Sequence, residues 1–237
     1  MKPRLKKIIK IATIVLLPVA LQAFASVRSN KRTVKEIFVD HHSSDMYVTE
    51  DAIRRMILNN SQLSDRIGLL ELDKIENLLD SHQMIEKSEV FCTIDGTLNV
   101  NIKQRQPIAR VSENQQFYYM DSKGEEMPLS DSFSARVPLI TGNMTEKHWK
   151  STYELVQFIN NDDFLKKNIT ELKIRNHGEY ALRMRAANFI VIWGNLEDNE
   201  LKKANLKAFY KQMEKSKNLN IYKIVNLKYA NQVVCTK

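Results

Sequence analysis

Residues 72–111 read LDKIENLLDSHQMIEKSEVFCTIDGTLNVNIKQRQPIARV, and two hydrophobic periods follow one another within them. The first part repeats its apolar residues at helical spacing, which predicts a short helix over residues 73–81. The second part alternates apolar and polar residues on both sides of Asp95-Gly96. This dipeptide favours a type I′ turn, because both central positions of such a turn need a positive φ. The stretch therefore predicts a helix followed by a β-hairpin.

The residues before this stretch predict two further elements of the same module. Residues 34–39, VKEIFV, indicate a short strand, and Thr49 can cap a helix over residues 50–59. The order strand, helix, helix, hairpin fits one small α+β domain, in which both helices cover one face of a three-stranded sheet. Because Pro107 lacks a backbone N–H and interrupts a strand ladder, we expect this domain to end at Gln106-Pro107.

The residues after 107 are richer in strand patterns. They predict successive strands over residues 169–175, 180–185, 188–193 and 222–229, and two helices over residues 145–161 and 200–217. The second domain is therefore expected to be mostly β with two helices. We expect its last strand, residues 222–229, to be an edge strand whose unpaired backbone groups can accept a partner strand.

The N-terminus carries a basic segment followed by an apolar one. Residues 1–10 include five Lys or Arg, and residues 11–27 form an uncharged run of 17 residues. A helix of this length reaches roughly 25 Å, near the lower limit for crossing the hydrocarbon core of a bilayer. Ala23-Phe24-Ala25 before Ser26 also has the small-residue pattern of a signal peptidase site. Two interpretations stay open, a retained membrane anchor and a signal peptide cleaved after Ala25, and in both the remainder leaves the cytoplasm.

The charge distribution argues against nucleic-acid binding. The formal net charge is +8, but residues 1–35 hold nine Lys or Arg and no acid. The body from Glu36 onward has 27 basic and 28 acidic residues, so the basic excess lies beside the apolar segment, where it can attract anionic lipid. We therefore expect a membrane as partner and no nucleic acid.

Sequence motifs of catalysis are almost absent. The chain has no Gly-rich phosphate loop, no paired-Cys metal spacing, no HExxH and no GxSxG, so we expect no catalytic residue, cofactor or metal. Cys92 and Cys235 fall at opposite ends of the folded body, which favours two separate thiols. Asp40-His41-His42 match the signature triplet of metal-dependent DHH phosphoesterases. Only the apolar segment precedes their strand, which leaves no place for the further aspartates of those enzymes, so a solvated turn is favoured.

Several ordered segments carry a family resemblance. Residues 34–57, VKEIFVDHHSSDMYVTEDAIRRMI, and residues 72–111 are followed by "FYYMDSKGEEMPLS", "RVPLITG", "GEYALRMRAANFIVIWG" and "IVNLKYANQVVCTK". Together they resemble the bacterial cell-division family FtsQ, called DivIB in Gram-positive bacteria. Residues 104–109 are similar to the family's Glu-Arg-x-Pro-Val-Ala, with Gln104 in place of the acid. The ending is similar to Val-Asp-Leu-Arg-Tyr, with Asn226 for Asp and Lys228 for Arg.

The resemblance implies a domain organisation and a location. The implied segments are a cytoplasmic tail (1–10), an uncleaved transmembrane helix (11–27), a POTRA domain of order β-α-α-β-β (33–106) and an FtsQ-type β domain (107–237). The implied location is the inner membrane at the division septum, as a single-pass type II protein with its C-terminal domains in the periplasm.

The resemblance also implies a function without catalysis. Such proteins are divisome scaffolds that bind the FtsB–FtsL pair and thereby influence septal peptidoglycan synthesis, with FtsK, FtsW and FtsI-like proteins as further partners. The implied partner-binding residues are Asn226, Leu227, Lys228, Tyr229, Ala230 and Asn231. Lys228 in place of Arg loses the bidentate fork, so its contact with a carboxylate would differ from that of the family.

Two alternatives stay open at this point. One is a POTRA protein of outer-membrane assembly, which would be expected to carry several POTRA repeats. The other is a periplasmic metal-dependent hydrolase centred on Asp40, His41 and His42.

Overall fold

The computed structural model describes residues 3–30, 32–41, 45–60, 66–229 and 232–237. These residues form six α-helices and twelve strands. The chain divides into two compact units, Met1–Gln104 and Arg105–Lys237. The architecture is mixed α+β.

The N-terminal helix corrects one prediction. Helix α1 (Pro3–Asn30) is continuous, so residues 3–10 belong to the same helix as the apolar run. Within the described residues, no helix combines the length and the apolar character that crossing a membrane requires. The predicted transmembrane helix over residues 11–27 is therefore wrong, and the single-pass inner-membrane location loses its support. The uncharged run is shorter than the roughly 20 apolar residues that span a bilayer, and it contains Pro18 and Gln22.

The first unit contains a three-stranded sheet with two further helices. Its elements are β1 (Glu36–His41), α2 (Glu50–Leu58), α3 (Leu72–Asp80), β2 (Ile85–Cys92) and β3 (Thr97–Gln104). The strand order is β1-β3-β2, with β3 parallel to β1 and antiparallel to β2. Helix α2 begins after Thr49, whose Oγ1 accepts a hydrogen bond from the Ala52 N–H (3.2 Å). Alternate strand residues and one face of each helix share a buried core that includes Val39, Ile53, Ile75, Leu79, Leu98, Val100 and Ile102.

The β2–β3 hairpin is confirmed, but its predicted turn type is wrong. Four residues, 93–96, connect the strands, and Gly96 has a φ of 102° whereas Asp95 does not have a positive φ. The Gly96 N–H donates to Thr93 O (3.1 Å), and the Asp95 carboxylate accepts a hydrogen bond from the Thr93 hydroxyl. The longer loop forms because these local bonds satisfy its polar groups without a second positive φ.

The second unit contains a nine-stranded mixed sheet. Its order is β12-β11-β10-β9-β8-β7-β4-β5-β6. The strands are β4 (Pro107–Glu113), β5 (Gln116–Asp121), β6 (Glu126–Met127), β7 (Leu139–Thr141), β8 (Ile169–Ile174), β9 (Tyr180–Met184), β10 (Ile190–Gly194), β11 (Ile224–Asn226) and β12 (Val234–Thr236). The helices are α4 (Glu146–Asn160), α5 (Asp163–Asn168) and α6 (Asn199–Lys215). Alternate strand residues such as Leu172, Leu182, Val191 and Val225 form one core with Leu155, Leu165 and Leu206 of these helices.

Three details of this unit differ from the sequence predictions. The described residues contain three helices rather than two, because α5 was not predicted. Pro107 opens β4 instead of ending a ladder, which the first position of a strand tolerates. The strand predicted over residues 222–229 is only three residues long, and it is not at the edge because β12 pairs with it.

Candidate partner-binding site

The predicted partner-binding residues follow directly from β11. Asn226 is the last residue of this strand, and Leu227, Lys228 and Tyr229 come after it. Ala230 and Asn231 lie outside the described residues. Leu227 is 1% exposed and belongs to the core, whereas Tyr229 is 50% exposed. Of the described residues, Tyr229 thus offers a large accessible side chain and Leu227 does not.

Local hydrogen bonds fix the backbone of this segment. The Leu227 N–H donates to Ile192 O in β10 (3.0 Å), which continues the parallel pairing of the two strands. Asn226 Oδ1 accepts a hydrogen bond from the Lys228 N–H (3.0 Å). This is the turn that an Asp or Asn side chain forms with the backbone two residues on. Asn226 therefore supplies the same oxygen acceptor as the aspartate of the resembling family.

Lys228 forms an ion pair with Glu179, the residue before β9. Its Nζ donates to Glu179 Oε1. This hydrogen bond holds the pKa of the Glu179 carboxyl below its ordinary value, with further help from the charges of Lys228, Arg175 and His177. Gly194 lies beside the stem of Lys228, and a Cβ built on Gly194 would be 2.8 Å from Lys228 Cγ. Lys228 is consequently already bound to a carboxylate of its own chain.

A polar cleft of about 140 Å³ lies next to this ion pair. Lys202 of α6 is buried at the cleft, and its Nζ donates to Asn195 O (2.9 Å) and Asn195 Oδ1 (3.1 Å). Burial lowers the pKa of Lys202, while the charges of Asp198, Glu197 and Glu179 oppose that shift. Sequence reasoning missed Glu179, Asn195 and Lys202, because they lie 26 to 49 positions from Lys228 and no local pattern connects them.

Strand β12 forms one edge of the nine-stranded sheet. Within the part of the chain that the structure describes, no strand pairs with its outer side. Its inner side pairs with β11 in the register Ile224↔Thr236, Val225↔Cys235 and Asn226↔Val234. The outer side is therefore available to another strand.

The register shows which residue of β12 faces outward. Successive residues of a strand direct their backbone groups to opposite neighbours, and Leu227 directs its N–H to β10. Asn226 therefore faces β12, where it pairs with Val234. Thr236 also faces β11, since its carbonyl accepts the Lys223 N–H (2.8 Å). Cys235, between Val234 and Thr236, directs its N–H and C=O away from β11.

Apolar side chains accompany this edge. Ile224 of β11 and Val234 of β12 are 38% and 40% exposed. Tyr229, which is 50% exposed, follows β11 and lines the polar cleft. An open edge with accessible apolar side chains can bind an extended segment through main-chain hydrogen bonds, while side-chain contacts provide selectivity.

The residues of the alternative hydrolase lie in the first unit. Asp40 and His41 end β1, and His42 lies outside the described residues. His41 Nδ1 is 3.3 Å from Gln104 Nε2, and burial lowers the pKa of His41 against the opposing charges of Glu50 and Asp40. Among the described residues, no group of three or more His, Cys, Asp or Glu side chains could hold a metal ion. Cys92 and Cys235 are free, half-buried thiols.

The comparisons with known proteins identify a family. No curated protein matches the sequence. A family model described as FtsQ/DivIB, C-terminal related, matches residues 106–236, which is more than half of the chain. The matched region contains the complete β4–β12 sheet. The chain therefore belongs to the FtsQ/DivIB C-terminal related family, a group of non-enzymatic cell-division proteins.

Proposed function

We propose that the chain is a non-enzymatic divisome scaffold that links early and late cell-division proteins and binds an FtsB–FtsL pair to control septal peptidoglycan synthesis. The family suggests a role in cell division, interaction with other divisome components and a position at the septum. The FtsB–FtsL pair, and FtsK, FtsW and FtsI-like proteins as further partners, are the finer part of the proposal. It rests on the second unit and makes no use of α1.

The observation that carries the proposal is the open edge of β12. An FtsB segment would add as a tenth strand beside β12, with main-chain hydrogen bonds to the N–H and C=O of Cys235. Val234 in β12 and Tyr229 in the segment after β11 would provide side-chain contacts, because both side chains are accessible. The proposed site thus keeps residues 226–231 and extends them to residues 234–236.

Lys228 has an indirect role in this proposal. Its ammonium is bound to Glu179, so it holds the segment before Tyr229 against β9 rather than meeting a partner's carboxylate. Lys differs here from the family's Arg, whose planar fork could hold Glu179 and a partner at the same time.

We also propose the domain division that the sequence indicated, with a POTRA domain over residues 33–106 and an FtsQ-type β domain over residues 107–237. The β1-α2-α3-β2-β3 order and the β1-β3-β2 sheet support the POTRA assignment. The family match from residue 106 onward supports the second domain.

A proline at position 235 tests the docking edge. Cys235→Pro removes the outward N–H and places a ring where the added strand would lie, but it leaves the β11–β12 hydrogen bonds intact. We expect the dissociation constant for the FtsB–FtsL pair from the same cell, measured by calorimetry, to rise at least tenfold. The free energy of unfolding should change little.

The matched control is Cys235→Ala, which loses the thiol but keeps the N–H. We expect this variant to bind the FtsB–FtsL pair like the wild type. If Cys235→Pro is folded and binds with unchanged affinity, β12 is not the docking strand.

A further inference from the structure

A second cleft lies in the second unit, near the other end of the sheet order from β12. It has a volume of about 340 Å³ and lies between β4, β5, β6 and the beginning of α4. Tyr118 and Trp149 contribute two aromatic rings, and Glu113, Glu126 and Glu146 contribute three carboxylates. The proposed role of the β12 edge uses none of these residues.

Hydrogen bonds hold the two rings in place. The ring centroids are 6.3 Å apart and the ring planes differ by 21°. The Trp149 Nε1–H donates to Gly124 O (2.8 Å), and the Tyr118 hydroxyl donates to Glu113 Oε2 (3.0 Å). Both rings are half-buried, so part of each remains accessible. The cleft is therefore organised before any ligand arrives.

The cleft has an excess of negative charge. Within the described residues, none of its three glutamate side chains forms an ion pair. Arg105 donates from Nη2 to the backbone oxygen of Glu126 (3.0 Å), and its ion pairs are with Asp121 (2.8 Å) and Glu125 (3.4 Å), which do not line the cleft. Burial raises the pKa of Tyr118, and the hydrogen bond to Glu113 and the charges of Glu113 and Glu126 raise it further. These carboxylates thus create a negative potential at the aromatic rings.

We propose that this cleft binds an arginine side chain of a partner protein. A guanidinium is planar, stacks on aromatic faces and donates up to five hydrogen bonds in a fork that matches carboxylates. Near-parallel rings beside three carboxylates complement both properties. An ammonium shares the charge but is a compact, strongly hydrated ion that lacks the planar stacking surface, so lysine fits less well.

The two tryptophans of the chain make the proposal measurable. Trp149 lines the cleft, whereas Trp193 is fully buried and its Nε1–H donates to Asn199 Oδ1 (2.8 Å). The full-length protein, labelled with ¹⁵N at tryptophan, is titrated with the acetylated and amidated peptide Gly-Gly-Arg-Gly-Gly. We expect a saturable shift of the Trp149 indole signal, assigned by its loss in Trp149→Phe, while the Trp193 signal stays in place.

Two comparisons show whether charge and shape both matter. The same peptide with citrulline, which is neutral and of similar shape, should produce no saturable shift, and the lysine peptide should bind more weakly than the arginine peptide. The double variant Glu113→Gln/Glu126→Gln should weaken arginine binding at least tenfold. Glu154→Gln, a substitution of an exposed residue on α4 outside the cleft, should leave the affinity for the arginine peptide unchanged.

An unchanged Trp193 signal shows that a variant is folded. If the double variant fails this criterion, Glu146→Gln replaces it and is expected to weaken binding severalfold. Equal shifts with arginine and citrulline, no saturable shift with arginine, or unchanged affinity in a folded glutamine variant would each overturn the proposal.

Discussion

At the scale of single residues, Gly194 leaves room for the stem of Lys228, whose ammonium pairs with Glu179. Its φ is 78°, and a Cβ would be 2.8 Å from Lys228 Cγ. We expect Gly194→Ala to lower the free energy of unfolding by about 1–3 kcal/mol, because it adds both backbone strain and a steric clash. Chemical denaturation measures this loss.

Gly178→Ala is the matched control for that prediction. Gly178 also has a positive φ (72°), but the nearest atoms to a Cβ there are in the His148 ring at 3.8 Å. We expect it to cost about 1 kcal/mol from the backbone alone. Equal losses in the two variants would show that the contact with Lys228 carries no energy.

The Lys228–Glu179 ion pair predicts a pH dependence of stability. Lys228 lowers the pKa of Glu179 in the folded state below the ordinary value of 4.5. The pair therefore contributes stability above pH 4.5, and this contribution is lost as the pH falls through the lowered folded pKa. We expect the free energy of unfolding of Glu179→Gln to depend less on pH in this window than that of the wild type.

Lys228→Met provides an independent check of the pH dependence. It removes the cation but keeps a long apolar stem beside Gly194. Its pH curve should therefore be flatter than that of the wild type, but less flat than that of Glu179→Gln, because the charges of Arg175 and His177 still lower the pKa of Glu179. A wild-type-like slope in either variant would contradict the assigned role of the pair.

The sequence predicted most long elements well because their signals are local. The predicted helices over 50–59, 73–81, 145–161 and 200–217 agree with α2, α3, α4 and α6 within two residues at each end. Caps and apolar periodicity carry this information. Helix α5 has six residues, too few for a visible period, although Asp162 before it was a usable capping signal.

Asp162 is the residue on which α5 depends. Its Oδ1 accepts hydrogen bonds from the Phe164 N–H and the Leu165 N–H (both 3.0 Å), and its Oδ2 contacts Lys207 Nζ (2.7 Å). We expect Asp162→Ala to lower the free energy of unfolding by about 1–2 kcal/mol. Asp163→Ala, the exposed neighbour, should cost less than about 0.5 kcal/mol. Similar costs at both positions in urea denaturation would rule out this capping role.

The edge of the sheet could not be predicted, because it depends on pairing between distant residues. The alternation of residues 222–229 suggested one long final strand, but the Asn226 side chain turns the chain at Lys228. This turn ends β11 and lets residues 234–236 return beside it as β12. A segment of three residues is too short to show an alternation of apolar and polar residues, so the sequence did not predict β12 as a strand. The predicted site therefore began on β11, one strand inside the edge strand β12. No local sequence pattern indicated Glu179, Asn195 or Lys202.

At the scale of the whole molecule, the division into two units predicts that the first domain folds independently. Its core lies entirely within residues 37–102. We expect a fragment of residues 33–106 to unfold cooperatively in urea. Ile53→Ala in this fragment should cost about 2–5 kcal/mol, because Ile53 is fully buried. A fragment without a cooperative transition, beside a full-length chain that has one, would refute the proposed domain division.

The N-terminus shows where pattern reading failed on the whole-chain scale. The basic flank and the apolar run resembled an anchor, and the family resemblance strengthened that interpretation. The run is nevertheless at the lower limit of length for crossing a bilayer. Within the described residues, no helix is long and apolar enough to cross a membrane. The family itself was predictable, because several weak similarities in the correct order add up even where no single motif is specific.

The central claim is that the chain acts as a scaffold in cell division, and depletion of the protein in its own cell tests it most directly. Cell length and septum constriction are measured by microscopy as the protein disappears. We predict long filaments with unconstricted septa, restored to normal division by the wild-type chain and by Cys235→Ala, but not by Cys235→Pro. Normal cell length and normal constriction after complete depletion would contradict the account.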